Sequence, residues 1–368
     1  MTLAVEEVRD PEAIPRFKEA WTELVDRSAE ADLFQTYEWV TSWLAAFGRG
    51  RRPRFLFVRE GSRLVGLAPF VEDRDGSLWC PRTLASPVDD ESFRTGFIAA
   101  EERAAAAEAL FRHLDKTQPG RPVVFRKVEP TAGLGRAFEE AARGAGRKMV
   151  TVKENPSPIF RLEGDWEAFL KRRSSHFRSE LKRKRKRLEA AAAARERLVL
   201  KPDELAEAFA DILAIERASW KEAAATSFTA RPAVAEFFKT FGRQAAERGW
   251  LRLRLLYMDD RPTAYVFALA RKGEFLTLKT SYDEARKSLS PGSVLFESVA
   301  REAFREGGKA FDIMGVEARW KNEYGDGLRA LATVCFFPKG SLRCWRCLAL
   351  ENHVRPFVAK RLPWVGSV

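Results

Sequence analysis

The sequence predicts a mixed α/β protein of two tandem units, each a mixed, mostly antiparallel sheet flanked by helices. Two β-hairpins indicate the sheets: "RFLFVRE" faces "RLVGLAPFV" in the first half, and "RLRLLYM" faces "PTAYVFALAR" in the second. After each hairpin the apolar pattern gives the same order of elements, with strands and helices in alternation. The same order of elements therefore occurs twice, although the amino-acid sequence itself does not repeat.

In the first half, apolar residues at helical spacing predict two helices before the hairpin, at residues 14–25 and 37–47. The hairpin itself turns at Gly61 and Ser62. The later segments are predicted as strand, Ala-rich helix, strand, helix and strand, at residues 77–85, 101–116, 121–128, 132–145 and 148–153.

In the second half, helices are predicted at residues 171–187 and 203–220, and the hairpin turns at residues 259–261. The later segments are predicted as strand, helix, strand, short helix and strand, at residues 274–282, 291–304, 309–315, 317–324 and 328–337. The helix at 291–304 starts abruptly, because Pro291 and Gly292 stand directly before its apolar run.

The segment "NPSP" at residues 155–158 interrupts the periodicity and marks the boundary between the halves. We expect an N-terminal unit at 1–152, a C-terminal unit at 153–340, and a basic, Trp-containing tail at 341–368. A chain of 368 residues is long enough for each unit to bury its own core.

The apolar runs of the chain all fall short of the roughly 18 residues that a membrane-spanning helix needs. The first residues also lack the basic-then-apolar order of a secretory signal, so we expect a cytoplasmic protein. Cys344 and Cys347 form the one close cysteine pair, with His353 nearby. A zinc site needs a second pair of ligands at suitable spacing, so no metal is expected.

The net charge of +12 is concentrated in one segment. Residues 171–187, "KRRSSHFRSELKRKRKR", carry ten Lys or Arg and one Glu, which gives +9. A purely solvated helix face usually mixes signs, so the run favours contact with a polyanion. Phosphates of coenzyme A, a tRNA, an acidic carrier protein and an anionic membrane surface all fit this pattern.

Five segments together resemble the GNAT acyltransferase superfamily, in particular its tandem-domain CelD-like (cellulose-biosynthesis-type) branch, which is related to the FemABX peptidyltransferases. They read "FQTYEWVTSWLAAFG", "RSELKRKRKRLE", "ERASWK", "LSPG" and "FDIMGVEARWKNEYG", at residues 34–48, 178–189, 216–221, 289–292 and 311–325. Their order and spacing cover most of the chain.

The resemblance implies an N-acyltransferase that moves an acyl group, usually the acetyl group of acetyl-CoA, to an amine by direct attack, without a covalent enzyme intermediate. It also implies an acceptor that is a small molecule or is linked to the cell envelope or a polysaccharide. Related Fem enzymes use an aminoacyl-tRNA donor, so a Fem-like aminoacyl transferase is an alternative. A third hypothesis is a non-catalytic module that binds polyanions through residues 171–187.

The helix start at Pro291 is the candidate cofactor site. A helix N-terminus offers unpaired N–H groups and a positive dipole end to a pyrophosphate, and Gly292 permits close approach. Ser290 is a suitable N-cap, and an ordinary N-capped core helix is the competing interpretation. The predicted cofactor-binding residues are Thr280, Ser281, Arg286, Ser290, Gly292, Ser293 and Val294.

Two features qualify this site. The resemblance implies an Arg/Gln-x-x-Gly-x-Gly/Ala loop, whereas this chain has Ser-Pro-Gly there. The corresponding place in the first half carries Asp89, Asp90 and Glu91, whose charges repel a pyrophosphate. We therefore predict that the second unit alone binds the cofactor.

An amine acceptor of lysine type is almost entirely protonated at pH 7, so catalysis benefits from a positioned base. Asp312 and Glu317 are the candidate bases, and the resemblance implies an acid followed by a lysine, which Lys321 matches. A turn-capping Asp312 and a solvated Glu317–Lys321 pair are the structural alternatives. Tyr282 lies where GNAT strands separate and is a candidate acid for the departing thiolate.

Trp220 and Lys221 end the helix before the segment "EAAATSFTARPA". An aromatic ring and a cation at a helix end suit acceptor recognition, and with Lys321 they form the predicted substrate-binding set. Trp220 is equally suited to anchor a core.

Overall fold

The computed structural model describes residues 3–72, 83–88, 92–130, 135–315 and 318–338. The chain divides into two compact units. The first holds the residues up to Val40, then Gly48–Glu154 and the stretch from Leu331, and the second holds Thr41–Phe47 and Asn155–Ala330. Among the described helices, none is long and apolar enough to cross a membrane.

The first unit is built on one mixed sheet with the strand order β1-β2-β3-β4-β6-β15-β7, in which β5 also pairs with β3. Its strands are β1 Ala4–Val8, β2 Arg52–Glu60, β3 Arg63–Glu72, β4 Leu84–Ala85, β5 Ile98–Ala99, β6 Val123–Val128, β7 Arg147–Lys153 and β15 Ala332–Pro338. Its helices are α1 Lys18–Arg27, α3 Arg103–Thr117 and α4 Gly135–Gly144, while α2 Tyr37–Phe47 begins in this unit and ends in the second.

The second unit is built on a seven-stranded mixed sheet with the order β14-β8-β13-β12-β11-β10-β9. Its strands are β8 Ser157–Arg161, β9 Ala194–Val199, β10 Leu251–Met258, β11 Arg261–Arg271, β12 Glu274–Tyr282, β13 Ala310–Asp312 and β14 Gly327–Arg329. Its helices are α5 Trp166–Lys171, α6 Ser175–Ala191, α7 Pro202–Arg217, α8 Trp220–Ala223, α9 Pro232–Glu247, α10 Pro291–Arg305 and α11 Arg319–Tyr324.

Both predicted hairpins are confirmed, because β2 pairs with β3 and β10 pairs with β11 in antiparallel register. The predicted fold class, a mixed sheet with flanking helices in each of two units, is also confirmed. The helix that begins at Pro291 is α10, and its apolar residues, among them Leu295, Val299 and Ala303, are buried. It packs against β10, β11 and β12, which covers one face of the second sheet.

The last predicted strand is a correction. Residues 328–337 read as one continuous β-rich run, but the structure divides them between β14 and β15. β14 pairs with β8 in the second sheet, whereas β15 lies between β6 and β7 in the first sheet. Local patterning specifies a strand but not its partner, so the sequence assigned β15 to the wrong half.

An ion-pair network joins the first three strands of the first sheet, β1, β2 and β3. Arg54 bonds Glu7 at 2.6 Å and also bonds Glu72, which Arg121 contacts at 2.8 Å. Burial alone would raise the pKa of Glu7, but hydrogen bonds from Arg9 and Arg54 outweigh it and lower the pKa to about 2.

Glu7→Gln is expected to cost about 2–3 kcal/mol of unfolding free energy at pH 7. A carboxyl with a depressed folded pKa stabilises fully above its unfolded pKa of 4.5, and the contribution disappears as the pH falls toward about 2. Urea titrations at pH 7 and at pH 3 measure the change, with exposed Glu19→Gln as control. An equal cost at both pH values would contradict the electrostatic explanation.

Candidate active site

Two parallel strands separate in the middle of the second sheet. β12 pairs with β11 along its whole length, but it pairs with β13 only from Glu274 to Leu276. The register with β11 shifts beside Leu278, because Phe267 faces Lys279 while Ala268 faces Thr277. Such a β-bulge bends a strand and sharpens its twist. Residues 277–282 therefore form an open half of β12, with no strand partner on the β13 side among the described residues.

The equivalent place in the first unit is closed. There β4 and β6 run parallel at Leu84 and Ala85, and Thr95 extends the pairing by a parallel bridge to Val128. The amide of Thr95 donates to the carbonyl of Lys127 at 3.1 Å, which fills the gap between the strands. The acidic residues 89–91, predicted to repel a pyrophosphate, lie outside the described residues. The helix that follows, α3, starts directly after Glu101 and Glu102.

The open half of β12 leads to the first turn of α10. Ser290 occupies the N-cap position as predicted, but its backbone is left-handed, with φ 56° and ψ 45°, and its side chain makes no capping bond. Its carbonyl accepts from the amides of Ser293 and Val294 at 3.1 and 3.2 Å. The amide of Gly292 has no acceptor among the described residues. Of the N–H groups predicted to be unpaired at this helix start, that of Gly292 is therefore available to a ligand.

Tyr282 packs against this turn from the end of β12. A Cβ atom added to Gly292 would lie 3.1 Å from Cδ1 of Tyr282, so only a glycine fits against the ring without displacement. Burial, followed by the charge of Glu284, raises the pKa of Tyr282. The phenol therefore keeps its proton at neutral pH, as a proton donor must.

The polar residues predicted to bind the cofactor near the open half of β12 differ in their contacts. Arg286 contacts Asp259 at 3.3 Å, so its charge is partly neutralised. The hydroxyls of Ser281 and Thr277 are buried on the open half of β12 and have no partner among the described residues. Buried hydroxyls are normally satisfied, so a ligand is one explanation for these two.

A buried ion pair, Glu216 with Lys221, contacts the open half of β12. Glu216, fully buried, accepts from Lys221 at 3.1 Å, from the hydroxyl of Tyr265 at 2.6 Å and from the amide of Phe228 at 3.1 Å. Nζ of Lys221 also donates to the carbonyl of Thr280 at 2.6 Å. This link from Glu216 of α7 through Lys221 of α8 to β12 was not predicted from the sequence.

This ion pair bears on the predicted acceptor residues. Acceptor binding by Lys221 stays a prediction, but its ammonium already has Glu216 and the strand carbonyl as partners and is largely buried. Trp220 is 53% exposed, which excludes the interpretation of it as a core anchor.

Asp312, the first candidate base, is buried at the end of β13. It accepts from the hydroxyl of Ser157, from the amide of Met314 at 3.0 Å and from Arg329 at 2.9 Å. The oxygens of this carboxylate are already engaged in these bonds, one of them charge-assisted from a guanidinium. The geometry therefore favours the turn-capping alternative. The second candidate, Glu317, lies outside the described residues.

Lys321 stands beside the end of β13. Met314 and Gly315 have positive φ values of 60° and 67°, and this sharp turn presents the carbonyl of Met314 to Nζ of Lys321 at 2.5 Å. Burial lowers the pKa of Lys321, and the charge of Asp312 opposes the shift. Among the described residues, no cluster of three or more His, Cys, Asp or Glu could hold a metal ion.

A family model described as an acetyltransferase (GNAT) domain matches residues 175–322. That range includes α6, the open half of β12, α10 and Lys321, and it lies wholly in the second unit. No curated protein matches the chain.

Solved structures match nearly the whole chain. The C-terminal domain of a putative lysylphosphatidylglycerol synthetase from Agrobacterium fabrum is 11% identical, with 94% of this chain and 97% of that chain covered and a TM-score of 0.58. FemX is 10% identical, with 96% and 100% covered and a TM-score of 0.59. The structure of L-PGS from Bacillus licheniformis is 15% identical, with 94% and 97% covered and a TM-score of 0.52. At such identities these similarities show a shared fold.

Proposed function

We propose that this chain, whose residues 175–322 carry a GNAT acetyltransferase domain, transfers an acyl group from an acyl-CoA to an amine. The observation that carries the proposal is the open half of β12, which runs from the bulge at Leu278 to the first turn of α10. An extended chain can add to such an edge through main-chain hydrogen bonds, as a missing strand would.

The pantetheine arm of coenzyme A is an extended, amide-containing chain that suits this edge. Laid along residues 277–282, it would bring its diphosphate end toward α10, where the amide of Gly292 and the helix dipole favour negative charge. The unpartnered hydroxyls of Thr277 and Ser281 fit a polar ligand on the same strand. The closed strand pair in the first unit supports donor binding by the second unit.

In the proposed reaction, the acceptor nitrogen attacks the thioester carbonyl, a C–N bond forms and the C–S bond breaks. Main-chain donors of the open strand would stabilise the developing oxyanion. The departing thiolate would take its proton from Tyr282, whose raised pKa keeps it protonated. The amine proton needs a different acceptor, because Asp312 is bonded to Arg329.

Lys321 fits that role better than Asp312 does. Burial lowers its pKa, which raises the fraction of neutral amine that can accept a proton at neutral pH. Glu317 remains a predicted partner in the same segment. The acetyl group as the transferred group and a CelD-like acceptor, an amine linked to the cell envelope or a polysaccharide, rest on the sequence resemblance.

A second candidate donor is an aminoacyl-tRNA, as in a Fem-like transferase. The observation in its favour is the set of exposed cations on α6. RNA that co-purifies with the protein, with affinity that falls steeply as salt rises, would favour this donor over acyl-CoA. A protein that retains polyanions but transfers nothing to a broad panel of amines would instead be a binding module.

Coenzyme A is expected to stabilise the protein against heat. A ligand at 100 times its Kd adds about 2.7 kcal/mol to the free energy of unfolding, which corresponds to a Tm rise of several degrees. Differential scanning fluorimetry with coenzyme A, acetyl-CoA and free adenosine measures the shift, with adenosine as control. If neither coenzyme A species raises Tm at millimolar concentration, the proposal fails.

A further inference from the structure

The basic segment of the sequence forms α6, and α6 packs against α10 and the short turn Glu284–Leu289 that precedes it. Phe177, Leu181 and Leu188 form its buried seam, as the spacing of apolar residues requires. One side of α6 therefore lies against α10, and the cations at the border of this side stand close to the first turn of α10.

Two of these cations face that first turn directly. Nη2 of Arg187 lies 3.3 Å from Oγ of Ser290, the N-cap residue. Lys184, three residues earlier and hence on the same side of the helix, lines a narrow cavity with Ser293 and Trp320. The volume of this cavity is about 20 Å³, which is enough for a single water molecule. Lys184 therefore lies close to the first turn of α10.

Other cations near α10 are already paired. On α6, Arg183 bonds Glu180 and Arg185 bonds Glu297, at 2.7 and 3.2 Å. In the turn before α10, Lys287 bonds Glu284 at 2.6 Å.

Lys184 and Arg187 differ, because neither forms a close ion pair with a carboxylate among the described residues. The charge of Lys184 acts on Glu180 only at longer range, after the hydrogen bond and the charge of Arg183. The cavity beside Lys184 includes two carboxylates, Glu180 and Glu323, and these pair with Arg183 and Arg319.

The hydroxyl of Tyr324, near Lys184, lacks a hydrogen-bond partner among the described residues. Tyr324 lines the same cavity, and its hydroxyl is buried. The amide of Gly292 is likewise unpaired, one residue before Ser293. Two donors without a partner, the Gly292 amide and the Tyr324 hydroxyl, thus lie near two cations that form no close ion pair among the described residues.

We infer that Lys184 and Arg187 form a diphosphate clamp, which binds the diphosphate of the acyl-CoA donor against the first turn of α10. This inference rests on the proposed function. The clamp compensates for the glycine-spaced loop that the sequence lacks, because charged side chains from a second helix replace the missing loop amides. A guanidinium and an ammonium suit this role, since both bind phosphate oxygens through charge-assisted hydrogen bonds.

The test is calorimetric titration of the full chain with coenzyme A and with dephospho-coenzyme A, which keeps the diphosphate but lacks the 3′-phosphate. Lys184→Gln and Arg187→Gln are each expected to raise the Kd of both nucleotides about tenfold. Lys182→Gln and Lys186→Gln remove the same charge from exposed positions of the same helix and are expected to leave Kd within about twofold.

Three results would overturn the inference. If Lys184→Gln and Arg187→Gln bind both nucleotides as the controls do, these side chains do not contact the donor. If they weaken coenzyme A alone, they contact the 3′-phosphate and not the diphosphate. If the unaltered protein binds neither nucleotide, the proposed function fails first. Thermal unfolding of each variant without ligand checks that the fold is intact.

Discussion

Gly292→Glu is expected to abolish coenzyme A binding, with a Kd raised at least about 100-fold. Even a Cβ atom at this position would lie 3.1 Å from the ring of Tyr282, so the new side chain must push the ring or α10 aside. Its carboxylate would also stand at the helix start proposed for the diphosphate, and like charges in contact repel. Calorimetric titration with coenzyme A measures the loss.

Gly292→Gln is the matched control, because Gln has the size of Glu without its charge. We expect the Gln variant to weaken binding by about tenfold through steric displacement, and the Glu variant to weaken it by about tenfold more. Equal losses in the two variants would assign the whole effect to sterics and remove support for an anion at this turn. Unchanged binding in both would place the donor elsewhere.

The sequence predicted the features that local patterning determines. Both hairpins have alternating or apolar strands around short turns, and α10 has Pro at its first position followed by a buried apolar run. These signals lie within a few residues of one another, so one sequence is enough to read them.

The pairing of strands that are distant in the chain could not be predicted from the sequence. The segment "NPSP" was read as an interruption, yet Ser157–Arg161 forms β8, which lies between β13 and β14 in the second sheet. In the same way β15 follows the second unit in the chain but pairs in the first sheet. Strand partners depend on tertiary contacts, which a period-2 pattern does not encode.

The candidate site shows the same limit. Gly292 was predicted from the Pro-Gly start, and the structure places its amide as an available donor beside Tyr282. The bulge at Leu278 and the support of Thr280 by Lys221 were not predicted, because each depends on which residues meet across two elements. A buried Glu in the apolar stripe of α7 was the one available signal, since unpaired carboxylates are rarely buried.

The two units differ at the place where we propose that the second unit binds the donor. Both have a parallel strand pair followed by a helix, but Thr95 bridges the pair in the first unit, while β13 ends at Asp312 in the second. Glutamates precede α3, whereas Ser290 and the cations of α6 flank α10. The two units therefore differ in how far the parallel strand pair extends and in the charge beside the helix that follows it.

Glu216→Ala is expected to destabilise the protein by about 3–5 kcal/mol, which lowers Tm by on the order of 10 °C. The carboxylate is fully buried and accepts from Lys221, Tyr265 and the amide of Phe228. Its removal takes this carboxylate from the Lys221 ammonium and leaves an empty volume beside it, while the ammonium keeps its bond to the carbonyl of Thr280 at 2.6 Å. Chemical denaturation of the full chain measures the loss.

Two controls separate the buried charge from a general effect of substitution. Glu247→Ala removes a half-exposed carboxylate paired with Arg243 in the same unit and is expected to cost less than about 1 kcal/mol. The double variant Glu216→Leu with Lys221→Met replaces the pair by apolar groups of similar volume and is expected to recover part of the stability, because Tyr265 and the Phe228 amide still lose their acceptor. If the double variant is as unstable as Glu216→Ala, the lost bonds of Tyr265 and Phe228, and not the ammonium left without this carboxylate, cause the loss. Since Lys221 supports Thr280, a recovered fold with weakened coenzyme A binding would show that the pair positions the open half of β12 for the donor.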